Sequence, residues 1–138
     1  METNNLGALD IEIGSYDEVE AEANKILAPG IYRFAIQKLP VVKHSKEKGN
    51  PFLAWELKTI DCADPADNNF TIFYNTPLEG KGRGIFLRFC NACGKVWEGN
   101  RLTGAFIETF LGVELMGEVS IREYQGKEQN ELKSVQAI

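Results

Sequence analysis

No stretch of this sequence stays apolar for long enough to span a bilayer. The opening METNNLGALDIEIG lacks the basic flank and apolar block of a secretory signal. There is a single histidine, so general-base chemistry has few options. There is no His-Glu-x-x-His, no nucleophile elbow and no P-loop, so a non-enzymatic protein without cofactor or metal is expected. The three cysteines are an odd count, which argues against a disulfide scaffold and for a reducing, cytoplasmic setting. Internal repeats and low-complexity tracts are missing too.

What is there is unevenly charged. The net charge is −5. Residues 1–28 hold Glu2, Asp10, Glu12, Asp17, Glu18, Glu20 and Glu22 against Lys25 alone, while residues 31–101 are locally basic. An acidic leader thus precedes a body with a basic middle, which leaves room for one basic groove despite the low isoelectric point. At 138 residues the rest reads as one domain, over residues 29–138.

The leader contains SYDEVEAEANKIL. Ser15 followed by Glu18 fits a capping box. Val19, Ala23, Ile26 and Leu27 fall on one helical face, and Ala28-Pro29-Gly30 stops the helix. The expectation is a short amphipathic helix, packed on the body or lying in its groove against a ligand. Then the period changes to two. GIYRFAIQKL alternates with Tyr32, Phe34 and Ile36 on one side, and VKHSKEKGN follows as a polar, basic loop. PFLAWELKTI alternates again with Leu53, Trp55 and Leu57 inward. FTIFYNT is a third strand, aromatic on both faces. IFLRFCNACGK and TGAFIETFLG carry helical spacing, with Gly94 and Gly112 as stops and Thr103 as an N-cap. ELMGEVSIREY and EQNELKSVQAI are strands around Gln125-Gly126-Lys127.

Three strands, one or two short helices and two strands is the order of an OB-fold. The expected class is therefore mainly β (α+β): a five-stranded Greek-key barrel with an N-terminal acidic helix. Several short motifs point the same way. They are Gly30-Ile31-Tyr32, Gly49-Asn50-Pro51, Asn75 at the end of the third strand, and Tyr124-Gln125-Gly126-Lys127 with Asn130-Glu131-Leu132. In these the chain resembles a family of bacteriophage-encoded OB-fold single-stranded DNA-binding proteins. The resemblance implies a protein of low sequence specificity that supports phage DNA replication and recombination in the host cytoplasm, together with replication or recombination proteins and away from membranes. It departs from the pattern at Cys90 and Cys93, where Leu-like residues are expected, and the residues up to Ile138 include no acidic C-terminal tail of the kind many single-stranded DNA-binding proteins carry.

Holding a single strand without reading it requires cations along the phosphates and flat groups under the bases. On an OB-fold these belong on strands two and three and on the loops joining strands one to two and four to five. The first loop offers Lys43, Lys46 and Lys48, and Arg33 precedes it. The second strand offers Phe52 and Lys58. The third offers Phe70, Phe73 and Tyr74, with the outward face undecided. The last hairpin offers Arg122, Tyr124 and Lys127.

Each has an ordinary structural alternative: lysine-rich loops are commonly only solvated, and Tyr124 could cover a barrel end. RNA is a second ligand, since stacking tolerates both backbones. An OB-fold protein–protein interaction module without nucleic-acid binding is the alternative function. The 80–84 loop, Gly-Lys-Gly-Arg-Gly, is read as a connector rather than a phosphate cradle. Cys90-Asn91-Ala92-Cys93 with Cys62 and His44 could compose a zinc site, but lacks a second clear ligand pair.

Overall fold

A computed structural model describes residues 6–138. Six antiparallel strands form one unclosed sheet, accompanied by a few short helices. The strands are β1 (Gly30–Ala35), β2 (Val41–His44), β3 (Pro51–Ile60), β4 (Thr71–Pro77), β5 (Glu114–Tyr124) and β6 (Lys127–Gln136). The helices are α1 (Tyr16–Ala23), α2 (Arg83–Ala92) and α3 (Gly104–Glu108). Among the described residues no helix is long and apolar enough to cross a membrane.

The order is β2-β3-β1-β5-β6, with β4 on the other side of β3. β4 and β6 approach each other but are not paired. The expected five strands are six because Val41–His44, whose residues 42–44 read from sequence as the start of a loop, pairs with Pro51 to Ala54. β1 and β2 share one edge of β3: β1 takes its last residues, 58–60, and β2 its first, 51–54.

The alternation read in β3 is the alternation of burial. Leu53, Trp55, Leu57 and Thr59 are buried, and the residues between them are half-buried. Phe34, Ile36, Leu115, Val119 and Ile72 join from the other strands, and Phe86, Phe89 and Cys90 from α2. Trp55 lies at the centre, 4.5 Å from the ring of Phe89 and 5.2 Å from that of Phe110. The Trp55 indole N–H donates to Thr76 Oγ1 at 2.9 Å, which satisfies both buried polar groups.

Gly117 marks a close approach. A Cβ there would lie 2.6 Å from Leu132 Cδ2 and 3.1 Å from Phe34 Cε2. Overpacking costs about 1–3 kcal/mol, offset by about 0.4–1 kcal/mol from a stiffer unfolded chain. Gly117→Ala is therefore expected to destabilise by about 1 kcal/mol, read as a lower urea midpoint at unchanged slope.

The leader differs from expectation. The capping box forms: Ser15 Oγ accepts from Glu18 N at 3.1 Å, and Glu18 Oε2 accepts from Ser15 N at 3.4 Å. But α1 ends at Ala23 and buries no residue, so the helix's apolar side is left exposed. Leu27 is buried, yet it lies beyond the helix. Asn130 explains this. Its side chain accepts from Leu27 N at 2.8 Å and donates to Leu27 O at 3.0 Å, as a neighbouring strand would. Lys25 adds an ion pair with Asp67 at 3.2 Å and a hydrogen bond to the Ala66 carbonyl.

Candidate functional site

Directly opposed residues on paired strands share a face, so the register sorts the predicted site residues. Trp55 faces Tyr74 and Glu56 faces Phe73. Trp55 is in the core, so Tyr74 is on the core side, 5.7 Å from the Phe89 ring. Burial raises the Tyr74 phenol above its ordinary range. Tyr74 is therefore a packing residue and not a stacking surface. Phe73 points outward and is 67% exposed. Phe70 precedes β4 and is half-buried against the core.

The outer face of β3 and its neighbours holds the remaining strand candidates in rows. Lys43 opposes Phe52, which opposes Pro77. Val41 opposes Ala54, which opposes Asn75. Glu56 opposes Phe73, and Lys58 lies between Ala35 and Thr71. From Phe52 to Lys58 the face runs for roughly 20 Å at about 3.3 Å per residue. Lys46 and Lys48 are exposed in the turn after β2.

A second part of the surface is a groove of about 810 Å³ where β4 and β6 stay unpaired. Phe70 and Phe73 line one wall, Arg122 and Lys127 the other, and residues 23–26 of the leader close one end. Among the described residues none of the leader's acids lines it. The polar hairpin between β5 and β6 forms the second wall because its turn is tight. Gln125 and Gly126 both have positive φ, 50° and 78°, the geometry of a two-residue type I′ turn. Tyr124 at its tip is exposed, with the Arg122 guanidinium 5.5 Å from its ring centre.

The cations divide into two groups. Arg33 Nε donates to Glu114 Oε1 at 2.8 Å, and Arg122 lies 3.6 Å from Glu131 Oε2. Arg33 also faces Ile60 and Met116, away from the groove. It is paired with Glu114 and lies on the same outer face, diagonal to Lys58, but outside the groove between β4 and β6. By contrast Lys43, Lys46, Lys48, Lys58 and Lys127 make no ion pair among the described residues. Five uncompensated ammonium groups around two outward aromatics can attract a polyanion and offer its flat groups a surface. Sequence reasoning missed Val41 on this face, because a strand at 41–44 was not foreseen.

The cysteines lie elsewhere. Cys90 and Cys93 are buried, and burial pushes their thiols up to about 11 and about 12. Cys62 is only partly buried. Among the described residues no three His, Cys, Asp or Glu side chains gather as a metal site would require. The expected outcome with a thiol reagent near pH 8 is one fast-reacting group in the native protein and three after denaturation. Because the folded thiols titrate above the unfolded range, stability is complete below about pH 8.5 and falls as pH rises toward 11 and 12.

A scan against models of protein families finds no match to this chain, and a search of curated proteins finds none either.

Proposed function

We propose that this chain is a single-stranded DNA-binding protein of low sequence preference, with an OB-fold-like body, acting in phage DNA replication and recombination. The fold reading rests on the circuit β4-β3-β1-β5-β6, in which β4 and β6 approach edge to edge. That circuit supports a partly open five-stranded Greek-key barrel, with α2 inserted before β5 and β2 as an addition to the edge of β3. The motifs shared with the phage family support the same assignment. Host cytoplasm is the corresponding location, and replication or recombination proteins are the corresponding partners.

One observation carries the function: Phe73 is turned into water on the face that also holds Phe52 and the unpaired Lys43 and Lys58. A lone exposed phenylalanine is ordinary. Aromatics and free cations on one strand face, with a hairpin wall bearing Lys127 beside them, match what base stacking with phosphate neutralisation needs. Stacking accepts any base, since every base has a π-face, so low specificity follows. RNA is the second ligand on the same grounds.

The test is an anisotropy titration of labelled oligo-dT, about 30 nucleotides long, at several salt concentrations, with duplex DNA and RNA as controls. Labelled DNA is the better reporter because Trp55 is buried and Trp97 packs on Phe86, 5.5 Å between rings. Five lysines at about 0.7 per contact predict a log–log salt slope of about −2 to −4. Absence of binding at low salt would exclude this function and put the protein-interaction module first.

A further inference from the structure

Residues 9–13 read Leu-Asp-Ile-Glu-Ile. Aliphatic and acidic side chains alternate, as in a strand with one apolar and one charged face. Here the stretch belongs to no helix or strand, and Leu9, Ile11 and Ile13 are each at least 63% exposed. Three aliphatic side chains at strand spacing, all in water, lack the cover that such a pattern normally has.

β2 offers a complementary surface. It pairs on one side only, with β3, and all four of its residues are exposed. Val41 and Lys43 lie on the outer face, and Val42 lies on the opposite one. Lys46 and Lys48 follow directly. An edge strand with free backbone groups and exposed valines is a template for another strand. We infer that residues 9–13 of one molecule add as a strand to the free edge of β2 in a second copy. Asp10 and Glu12 lie on the Lys43 face, and Leu9, Ile11 and Ile13 lie on the Val42 face.

The charges favour this partner: the donor segment is acidic, whereas β2 and its turn are basic. The leader's attachment and β2 lie at opposite ends of β4. The leader joins the body at Leu27, pinned to Asn130, beside the 70–73 end of β4. β2 lies against residues 51–54 of β3, which face the other end of β4. Donor and acceptor are different surfaces, so two copies either exchange segments reciprocally or link head-to-tail. Asp10 and Glu12 would then neutralise Lys43, which the DNA reading assigns to phosphate, so single-stranded DNA and self-association would compete for this edge. That consequence rests on the function proposed above, while the self-association does not.

Sedimentation velocity of the full chain, without DNA, over a concentration series at low and high salt tests the contact. The weight-average sedimentation coefficient is expected to rise with concentration at low salt and to fall when salt is added. Ile11→Lys should abolish the rise. A chain with Asp10→Lys and Glu12→Lys, and another with Lys43→Glu and Lys46→Glu, should each stay monomeric alone and associate when mixed. A monomer at every concentration, association that survives Ile11→Lys, or a mixture that stays monomeric would each overturn the proposal. At concentrations where the chain is monomeric, the exposed leader variants should keep the affinity of the unchanged chain for a single-site oligo-dT. If the unchanged chain binds no such oligonucleotide, the DNA reading fails and the association result still stands.

Discussion

Replacing Trp55 with alanine is expected to lower stability by about 3–5 kcal/mol, the range for deleting a fully buried large aromatic. The side chain is fully buried and in ring contact with Phe89 and Phe110, which themselves stack 6.1 Å apart. It also leaves the buried Thr76 hydroxyl without its donor. Trp55→Phe separates the two effects. It restores most of the volume but not the hydrogen bond, so its cost should be smaller and close to that of an unsatisfied buried group, about 1–3 kcal/mol. Urea unfolding followed by circular dichroism measures both. Equal losses for the two variants would mean that packing around the indole contributes little.

Phe73→Ala is expected to leave stability nearly unchanged and to weaken oligo-dT binding by about 1–3 kcal/mol, the range for losing one base–aromatic stack. Its neighbour should do the reverse. Tyr74 packs against Phe89 on the core side, so Tyr74→Ala should lower the urea midpoint, and affinity should fall only as far as folding is lost. The pair is informative because the residues are adjacent in sequence and opposite in orientation. Phe73→Ala binding as tightly as the unchanged chain would remove stacking on this face from the account. Lys58→Ala, on the same face, should lower the salt slope by about 0.7.

How far the sequence alone leads differs from element to element. β3 is legible because Leu53, Trp55 and Leu57 alternate cleanly with half-buried partners. The Ser15–Glu18 cap and the turn at Gly126 are legible because each is local chemistry. β2 is not: Val41 and Val42 are consecutive, both exposed, and followed by lysines, so no alternation marks them. The orientation of β4 is also hidden locally, since it is aromatic on both sides. It is settled by pairing with β3, where Tyr74 meets the inward Trp55. Longer-range effects decide the rest. Arg33 looks free until Glu114, 81 residues on, is folded beside it. Leu27 fits a helical face until Asn130, 103 residues on, takes its backbone. The grouping of Phe73 with Lys127 likewise exists only once β4 and β6 face each other.

The most direct test of the central claim is amide chemical-shift mapping of the full chain during titration with oligo-dT. The account predicts the largest shifts along the outer face at Lys43, Phe52, Lys58 and Phe73, and at Arg122 to Lys127 in the hairpin. Shifts confined to other regions, such as the 80–84 loop or the Cys62 side of the sheet, would contradict it, as would a spectrum that does not move at all.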